Sequence, residues 1–359
     1  MVLVTSGTTV LTSKTICTRV VQIAGLKLTS RSAAFAPGLV PSIGLQIQRK
    51  GFSSSPATCL KAKQWFPPPP DSKIEYAPAA WKHPVYTEEQ MNHIVIAHRE
   101  AKTWQDRLAI RLMRLARWGM DLATGYTENS AHVDKNGKLA YKGWLVMDER
   151  KWLTRIVFLE SIAGVPGMVA AMLRHLHSLR RLKRDNGWIE TLLEEAYNER
   201  MHLLTFLKLA EPGWFMKVMI LGAQGVFFNG FLLSYLLSPR TCHRFVGYLE
   251  EEAVYTYSRI IKELDAGNLP AWTDPKFQVP DIAVSYWKMP EGHRTMRDLL
   301  LYVRADEAKH REVNHTLGNL DQETDPNPFI SVYKDGKKDH PGKSIQNIRP
   351  TGWERDEVV

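Results

Sequence analysis

Apolar residues recur with the period of an α-helix along most of the chain between residues 88 and 317. They return after three or four positions, and short segments with Gly or Pro separate the stretches. The pattern predicts six helices, at about 88–124, 148–183, 188–210, 214–237, 239–264 and 296–317. Ser238 and Thr295 suit N-terminal caps, and Pro239 suits a first helical position. Since no alternation typical of paired strands occurs, the expected fold class is all-α.

The N-terminal segment has a different composition. Residues 1–70 contain eight basic residues, no acidic residue and many Ser and Thr. This is typical of a mitochondrial transit peptide, which we expect at 1–52, although a disordered basic tail has a similar composition. Four prolines at 67–70 predict a stiff linker within an arm at 53–87. The helical domain would then occupy 88–320, followed by a polar, irregular tail at 321–359.

The charge and cysteine content exclude several classes of function. The chain has 47 Lys and Arg against 38 Asp and Glu, a net charge of +9. Without residues 1–70 the balance is 39 against 38, so the surplus is not a nucleic-acid footprint on the helical domain. Three cysteines, Cys17, Cys59 and Cys242, are too few for a disulfide framework or a Cys-based metal site. The ligands of any bound metal would be carboxylates and histidines.

Two of the predicted helices have features of membrane-facing segments. Four arginines interleave with apolar residues on the first helix: Arg107, Arg111, Arg114 and Arg117. Such a stripe suits anionic lipid headgroups, and it suits an ordinary solvated face equally well. Residues 218–237 form a run of twenty positions without a charge, the length of a membrane span, diluted by polar residues such as Gln224.

Glutamate and histidine residues with metal-ligand spacing lie on several predicted helices. Glu-x-x-His places both side chains on one helix face, about 60° apart, so that both can bind one ion. The pair occurs three times, as Glu199/His202, Glu307/His310 and Glu312/His315. Glu312 follows Glu307 by five positions, about 140° around the helix, so only one of the last two pairs can face a given site. The spacing does not decide which.

Two further glutamates complete a known type of ligand set. Glu160 lies in a nearly uncharged stretch, where a carboxylate is costly unless it is hydrogen-bonded or binds a metal. Glu250 begins a run of three glutamates on the fifth helix. Two single Glu and two Glu-x-x-His pairs from four helices are the ligands of di-iron and di-manganese carboxylate bundles. If 218–237 crossed a bilayer, the ligands before and after it would lie on opposite sides, so we expect monotopic attachment to one leaflet.

Four short sequences resemble the signature motifs of the mitochondrial alternative oxidases, in the same order and at similar separations. They are Leu159-Glu160, Asn198–His202, Leu249–Ala253 and Arg304–His310. The resemblance covers roughly 100–318 and implies a ferritin-like four-helix di-iron bundle with two extra membrane-facing helices. It also implies a homodimer on the matrix face of the inner mitochondrial membrane that oxidises ubiquinol and reduces O2 to water without inhibition by cyanide. The stretch Ala271–Phe277 lengthens a loop as in fungal members.

The resemblance also assigns roles to individual residues. The ligands of the two Fe ions would be Glu160, Glu199, His202, Glu250, Glu307 and His310. Tyr257, seven residues after Glu250 on the same helix face, would be the catalytic tyrosine. The ubiquinol pocket would contain Arg117, Asp121, Arg155, Leu159, Glu252, Ala253 and Thr256. Spacing alone would also explain Arg117 and Asp121 as a surface ion pair.

Two other functions share parts of this pattern. A di-iron hydroxylase that acts on a quinone precursor would need the same ligands, and only the wording of the motifs Asn198–His202 and Leu249–Ala253 argues against it. A non-enzymatic, ferritin-like iron-binding bundle would also use such helices. It would have a polar exterior, which the uncharged run at 218–237 and the arginine stripe do not favour.

Overall fold

The computed structural model describes residues 79–124, 126, 131–133, 139–141, 147–334 and 339–359, all of one compact unit. The expected transit peptide and the cysteines Cys17 and Cys59 lie outside these residues. The described helices are α1 Glu88–Asn92, α2 Trp104–Thr124, α3 Glu149–Arg181, α4 Trp188–Leu209, α5 Trp214–Leu237, α6 Pro239–Asp265, α7 Pro270–Thr273, α8 Asp281–Trp287, α9 Met296–Leu317 and α10 Arg355–Val358. The strands β1 Ala131–Val133 and β2 Leu139–Tyr141 pair antiparallel.

The all-α prediction is confirmed, and five of the six predicted helices have the expected bounds within two residues. The Ser238 side chain accepts a hydrogen bond from the backbone N–H of Thr241, and Thr295 forms a capping box with Asp298. Sequence periodicity missed the β1–β2 hairpin and the short helices α7 and α8, because a segment of three to seven residues is too short to show a period.

The prediction of one helix over 88–124 is wrong. The segment between α1 and α2 is not helical, because long-range hydrogen bonds hold its backbone. The backbone N–H of Arg99 donates to Glu251 (2.8 Å), and the Arg311 guanidinium donates to the carbonyl of Val95 (3.0 Å). These tertiary bonds replace those that a continuous helix would have made.

Four long helices form the bundle, with α3 packed along α4 and α6 packed along α9. Glycine permits both close approaches. A Cβ at Gly167 of α3 would lie 2.7 Å from the carbonyl oxygen of Leu192 on α4, and a Cβ at Gly247 of α6 would collide with the His315 imidazole on α9. The core between these helices is where the predicted metal ligands lie.

Two further helices, α2 and α5, flank the bundle and expose apolar side chains. On α2 these include Trp118 and Leu122, and on α5 Leu221 and Val226. Helices α3 and α5 are both long and apolar enough to cross a membrane, but half of the apolar stretch of α3 is buried in the bundle, against 11% of that of α5. The predicted pair of extra helices is present, and contact of their apolar faces with lipid remains a prediction.

The C-terminal residues after α9 are mostly irregular, as expected, but they are also packed against the bundle. Trp353 is 2% exposed, and its indole N–H donates to Glu312 of α9 (2.7 Å). The Arg349 guanidinium lies 3.9 Å from the centre of the Trp353 ring. This segment therefore contributes to the core around α9. The division into the segments 1–52, 53–87, 88–320 and 321–359 stays a prediction.

Replacing Trp353 with Ala should destabilise the protein by about 3–5 kcal/mol, because it removes a buried aromatic side chain and leaves Glu312 with one hydrogen bond fewer. Urea unfolding of the purified protein measures the effect. Val332→Ala, at a position 96% exposed in the same tail, is the control and should change stability little. Equal stability of the two variants would contradict the role of Trp353.

Candidate metal centre

All six predicted metal ligands meet inside the bundle. Glu160 comes from α3, Glu199 and His202 from α4, Glu250 from α6, and Glu307 and His310 from α9. None of them is more than 6% exposed. Four helices thus direct four carboxylates and two imidazoles into one apolar interior, which is the arrangement that the family resemblance implied.

The six side chains form two overlapping groups. One contains Glu160 and His202, the other contains Glu250 and His310, and both contain Glu199 and Glu307. Within each group the candidate ligand atoms lie within 4.8 Å of one another. Each group could hold one metal ion, and Glu199 and Glu307 are the members that the two groups share.

The hydrogen bonding of these side chains fits bound cations. The Nδ1 atoms of His202 and His310, both carboxylate oxygens of Glu199 and one oxygen each of Glu160 and Glu307 are buried without a well-aligned hydrogen bond to any described residue outside the cluster. Their neighbours are one another, as in the 2.6 Å approach of His310 Nδ1 to Glu199. Buried polar atoms without partners are costly, and two divalent ions would satisfy them. Carboxylate and imidazole ligands suit iron or manganese.

The pKa values of the clustered side chains also indicate that the cluster lacks positive charge. Burial, reinforced by the carboxylates Glu199 and Glu307, raises the pKa of Glu160 to about 8 and that of Glu250 well above its usual value. Burial opposes a charge on His202, but its hydrogen bonds to Asp306, Glu160 and Glu199 outweigh burial and raise its pKa. Glu160 and Glu250 therefore retain protons more readily than free carboxyl groups, whereas the charge of His310 lowers the pKa of Glu199 despite its burial.

Asp306 orients His202, and sequence reasoning missed it. It accepts hydrogen bonds from Nε2 of His202 (3.2 Å), Nε2 of His83 (2.7 Å), the Trp287 indole (2.8 Å) and the Asn198 amide (3.0 Å). The Trp287 ring also stacks on the His202 imidazole at 5.8 Å. Because Nε2 of His202 is held in this way, Nδ1 faces the carboxylates, as is usual for a ligating histidine. The sequence feature that could have indicated this role is the position of Asp306 directly before the predicted ligand Glu307.

The second Glu-x-x-His pair on α9 belongs to a different network. Glu312 accepts hydrogen bonds from Lys309 (2.6 Å), the backbone N–H of Arg349 (2.8 Å) and Trp353. His315 is hydrogen-bonded to Glu251 (2.8 Å) and to Arg244 (3.0 Å). These side chains have partners within the protein, whereas Glu307 and His310 lie with the other predicted ligands.

Tyr257 lies at the edge of the cluster. Its hydroxyl donates a short hydrogen bond to Glu160, and its ring stacks on Phe206 at 6.3 Å. Burial, together with the charge of Glu160, raises the pKa of Tyr257 well above its ordinary value. The phenol is therefore held neutral, with its proton directed at a predicted metal ligand.

A largely apolar cavity of about 450 Å³ adjoins the cluster. It reaches Glu160, Glu250, Glu307 and Tyr257, and its outer walls include residues of α2 and α5. Six of the seven residues expected in the substrate pocket line it: Arg117, Arg155, Leu159, Glu252, Ala253 and Thr256.

The seventh residue, Asp121, is not part of the cavity lining. It accepts hydrogen bonds from Arg117 (3.0 Å) and Arg155 (2.6 Å), and Arg117 also pairs with Glu252. Asp121 therefore fixes the two arginines that line the cavity. The Arg117–Asp121 ion pair that spacing suggested is thus present, and it holds a residue of the expected substrate pocket in place.

The fold and the cluster define the class of the protein: an all-α bundle with a buried cluster of carboxylates and imidazoles that could hold metal ions. The family model described as "Alternative oxidase" matches residues 86–319. The chain is 64% identical over 311 residues to "Alternative oxidase, mitochondrial" of Aspergillus niger, covering 87% of this chain and 86% of the relative. The relatives of the same name from Blumeria graminis and Emericella nidulans are 65% and 62% identical and cover 86% and 95% of this chain, and 86% and 92% of their own length. The chain belongs to the alternative oxidase family, as the four motifs predicted, and it is an oxidoreductase.

Two neighbouring glutamates on α6 provide a matched test of the metal site. Glu250→Gln should weaken metal binding by at least about tenfold, because it removes a ligand. Glu251→Gln should retain the metal and lower stability, because Glu251 accepts hydrogen bonds from Arg99 and pairs with His315. The metal-to-protein ratio after dialysis against a chelator measures the difference. Equal metal content in the two variants would contradict the assignment.

Proposed function

We propose that the protein is a cyanide-insensitive ubiquinol oxidase, attached to one leaflet of the inner mitochondrial membrane on its matrix face. The observation that carries this proposal is the apolar cavity, which joins the exposed helices α2 and α5 to the ligand cluster. A quinol has an apolar body with two hydroxyl groups, and this cavity has apolar walls with a few polar groups. Pockets of this composition bind apolar ligands in a fixed orientation.

The six clustered side chains would hold two Fe ions, one for each group of candidate ligands. When bound, the irons supply the redox chemistry by which four electrons from two quinols reduce one O2 to water. The protein contributes the ligands and an interior from which bulk water is excluded. The ligand atoms without a well-aligned partner outside the cluster, described above, support this assignment.

The polar residues of the cavity would orient the quinol. The guanidinium groups of Arg117 and Arg155 are donors for a quinol oxygen, and Asp121 holds both in place. Glu252 and Thr256 offer oxygen atoms that can accept a hydrogen bond from a quinol hydroxyl. Each quinol gives up two protons as it gives up two electrons, so an acceptor close to its hydroxyl groups is required.

The position of α5 supports attachment to one leaflet. Although its length suits a span, α5 packs along α3 and α6 of the bundle, whose interior holds the charged cluster. A helix in this position cannot cross the bilayer unless the bundle crosses with it. The relatives named above are mitochondrial by name, in agreement with the expected transit peptide. The homodimer that the family resemblance implies is part of this proposal.

Oxygen uptake by membranes that contain the protein tests the proposal. Addition of a quinol in the presence of cyanide should start uptake, because the proposed oxidase has no haem for cyanide to bind. Membranes from the same host without the protein are the control. Uptake that cyanide abolishes, or that does not depend on quinol, would reject the oxidase assignment.

Tyr257→Phe tests the proposed catalytic tyrosine. The variant should keep its metal and lose about a hundredfold or more in quinol-dependent oxygen uptake, since a positioned proton donor contributes this much. Tyr248→Phe on the same helix is the control, because the buried Tyr248 hydroxyl has no hydrogen-bond partner among the described residues. Similar rates for both variants, at equal metal content, would show that the Tyr257 hydroxyl is dispensable.

A further inference from the structure

A small cavity of about 70 Å³ reaches the metal cluster from the side of the bundle that α4 and α9 form. This α4–α9 cavity extends from the exposed side chains of Lys82 and Lys343 to the buried His310. The apolar cavity approaches the cluster from α2, α3, α5 and α6 instead, and the two cavities share no lining residue. The cluster therefore has two separate approaches.

Two buried polar atoms in the lining of the α4–α9 cavity have no hydrogen-bond partner among the described residues. They are Nδ1 of His83 and Oδ1 of Asn198. Both side chains are fixed through their other nitrogen atom, which is hydrogen-bonded to Asp306. Ordered water commonly pairs such buried atoms where there is room for it. A buried water molecule needs about 10–15 Å³, so this cavity has room for a short file of them.

Further polar groups continue from the cluster to the surface. Glu195 lies one helical turn before the predicted ligand Glu199, and its carboxylate accepts a hydrogen bond from the Asn314 amide (2.9 Å). Its remaining lone pairs can accept hydrogen bonds from water. Next to it on α4, Glu194 lines the same cavity and accepts a hydrogen bond from Lys343 (2.8 Å). Water in this cavity would thus find hydrogen-bond partners along the whole path.

The proposed reaction requires an exit for water. Two quinols and one O2 give two quinones and two water molecules, and the four protons that the quinols release equal the four that oxygen takes up. O2 and quinol are apolar enough to use the apolar cavity. Water that left through that cavity would lose its hydrogen bonds on the way, which is costly.

We propose that the α4–α9 cavity is the route by which product water leaves the metal cluster. The inference rests on the proposed function, because that reaction is the source of the water. Quinol and water then use different openings on different sides of the bundle. Product can leave while an apolar molecule still occupies the other cavity.

Exchange of bulk water with the metal site tests this inference independently of the reaction. Mn²⁺ suits the same ligands and, because it is paramagnetic, speeds the magnetic relaxation of the protons of any water molecule that reaches it. Val313 of α9 lines the cavity and is 4% exposed. At equal Mn²⁺ content, Val313→Phe should lower the relaxation of solvent protons about fivefold or more, because the larger ring fills the path. Val313→Ala, at the same position, widens the cavity and should not lower it.

Two further variants make this test specific. Ala223→Phe on α5 adds the same ring to the lining of the apolar cavity. It should leave the relaxation effect within about twofold of the unchanged protein, because the α4–α9 cavity stays open. Glu194→Trp narrows the α4–α9 cavity near the surface without a change in the core, and it should lower the effect even if Val313→Phe fails to fold.

The outcomes separate the route from the proposed function. In the iron-loaded protein, Val313→Phe should lower the maximal rate of quinol-dependent oxygen uptake about threefold or more with an unchanged KM for quinol, because release of product becomes limiting. Equal relaxation in Val313→Ala and the two variants that narrow the cavity would overturn the route, as would a loss in Ala223→Phe alone. If water exchanges through this cavity but quinol starts no oxygen uptake, the proposed function fails, and the assignment of product water fails with it.

Discussion

The burial of four carboxylates in one apolar interior is the constraint on which the rest of the structure depends. Charges this close together repel one another and lose their hydration, so the cluster needs positive charge at its centre. Two imidazoles supply part of it at the cost of holding protons. Metal ions supply it without protons, and they also satisfy the oxygen and nitrogen atoms that have no well-aligned partner outside the cluster.

Hydrogen bonding separates ligands from structural carboxylates in this bundle. Asp306, Glu251 and Glu312 are also buried, but each is held by donors from several elements. Glu199 is buried to a similar extent, but its neighbours belong to the cluster itself: its carboxylate lies 2.6 Å from Nδ1 of His310 and 3.6 Å from Nδ1 of His202. The bundle thus contains an outer set of carboxylates that are hydrogen-bonded to other parts of the protein, and an inner set whose neighbours are the other members of the cluster. The outer set fixes the positions of the helices that carry the inner one.

The sequence was sufficient for the long helices, their caps and the Glu-x-x-His pairs, because these depend on local periodicity and on spacing within one helix. It was insufficient where distant residues decide the structure. The break after α1 depends on Glu251 and Arg311, and the packing of the tail depends on Glu312. Spacing could not separate Glu307 from Glu312 because both lie on α9. The family resemblance favoured Glu307, and the distribution of hydrogen bonds explains the difference.

Helices α2 and α5 each contribute both to the wall of the apolar cavity and to the exposed apolar surface. Val226 of α5 lines the apolar cavity and is also 77% exposed, and on α2 Met120 lines the cavity while Leu122 faces outward. The walls of the cavity and the apolar exterior are therefore opposite sides of the same thin layer. Under the proposed function, an apolar substrate dissolved in lipid would reach the cluster without entering water, so its apolar tail would not be hydrated on the way. Lateral packing of α5 on the bundle is what makes the exposed apolar surface continuous with the lining of the cavity.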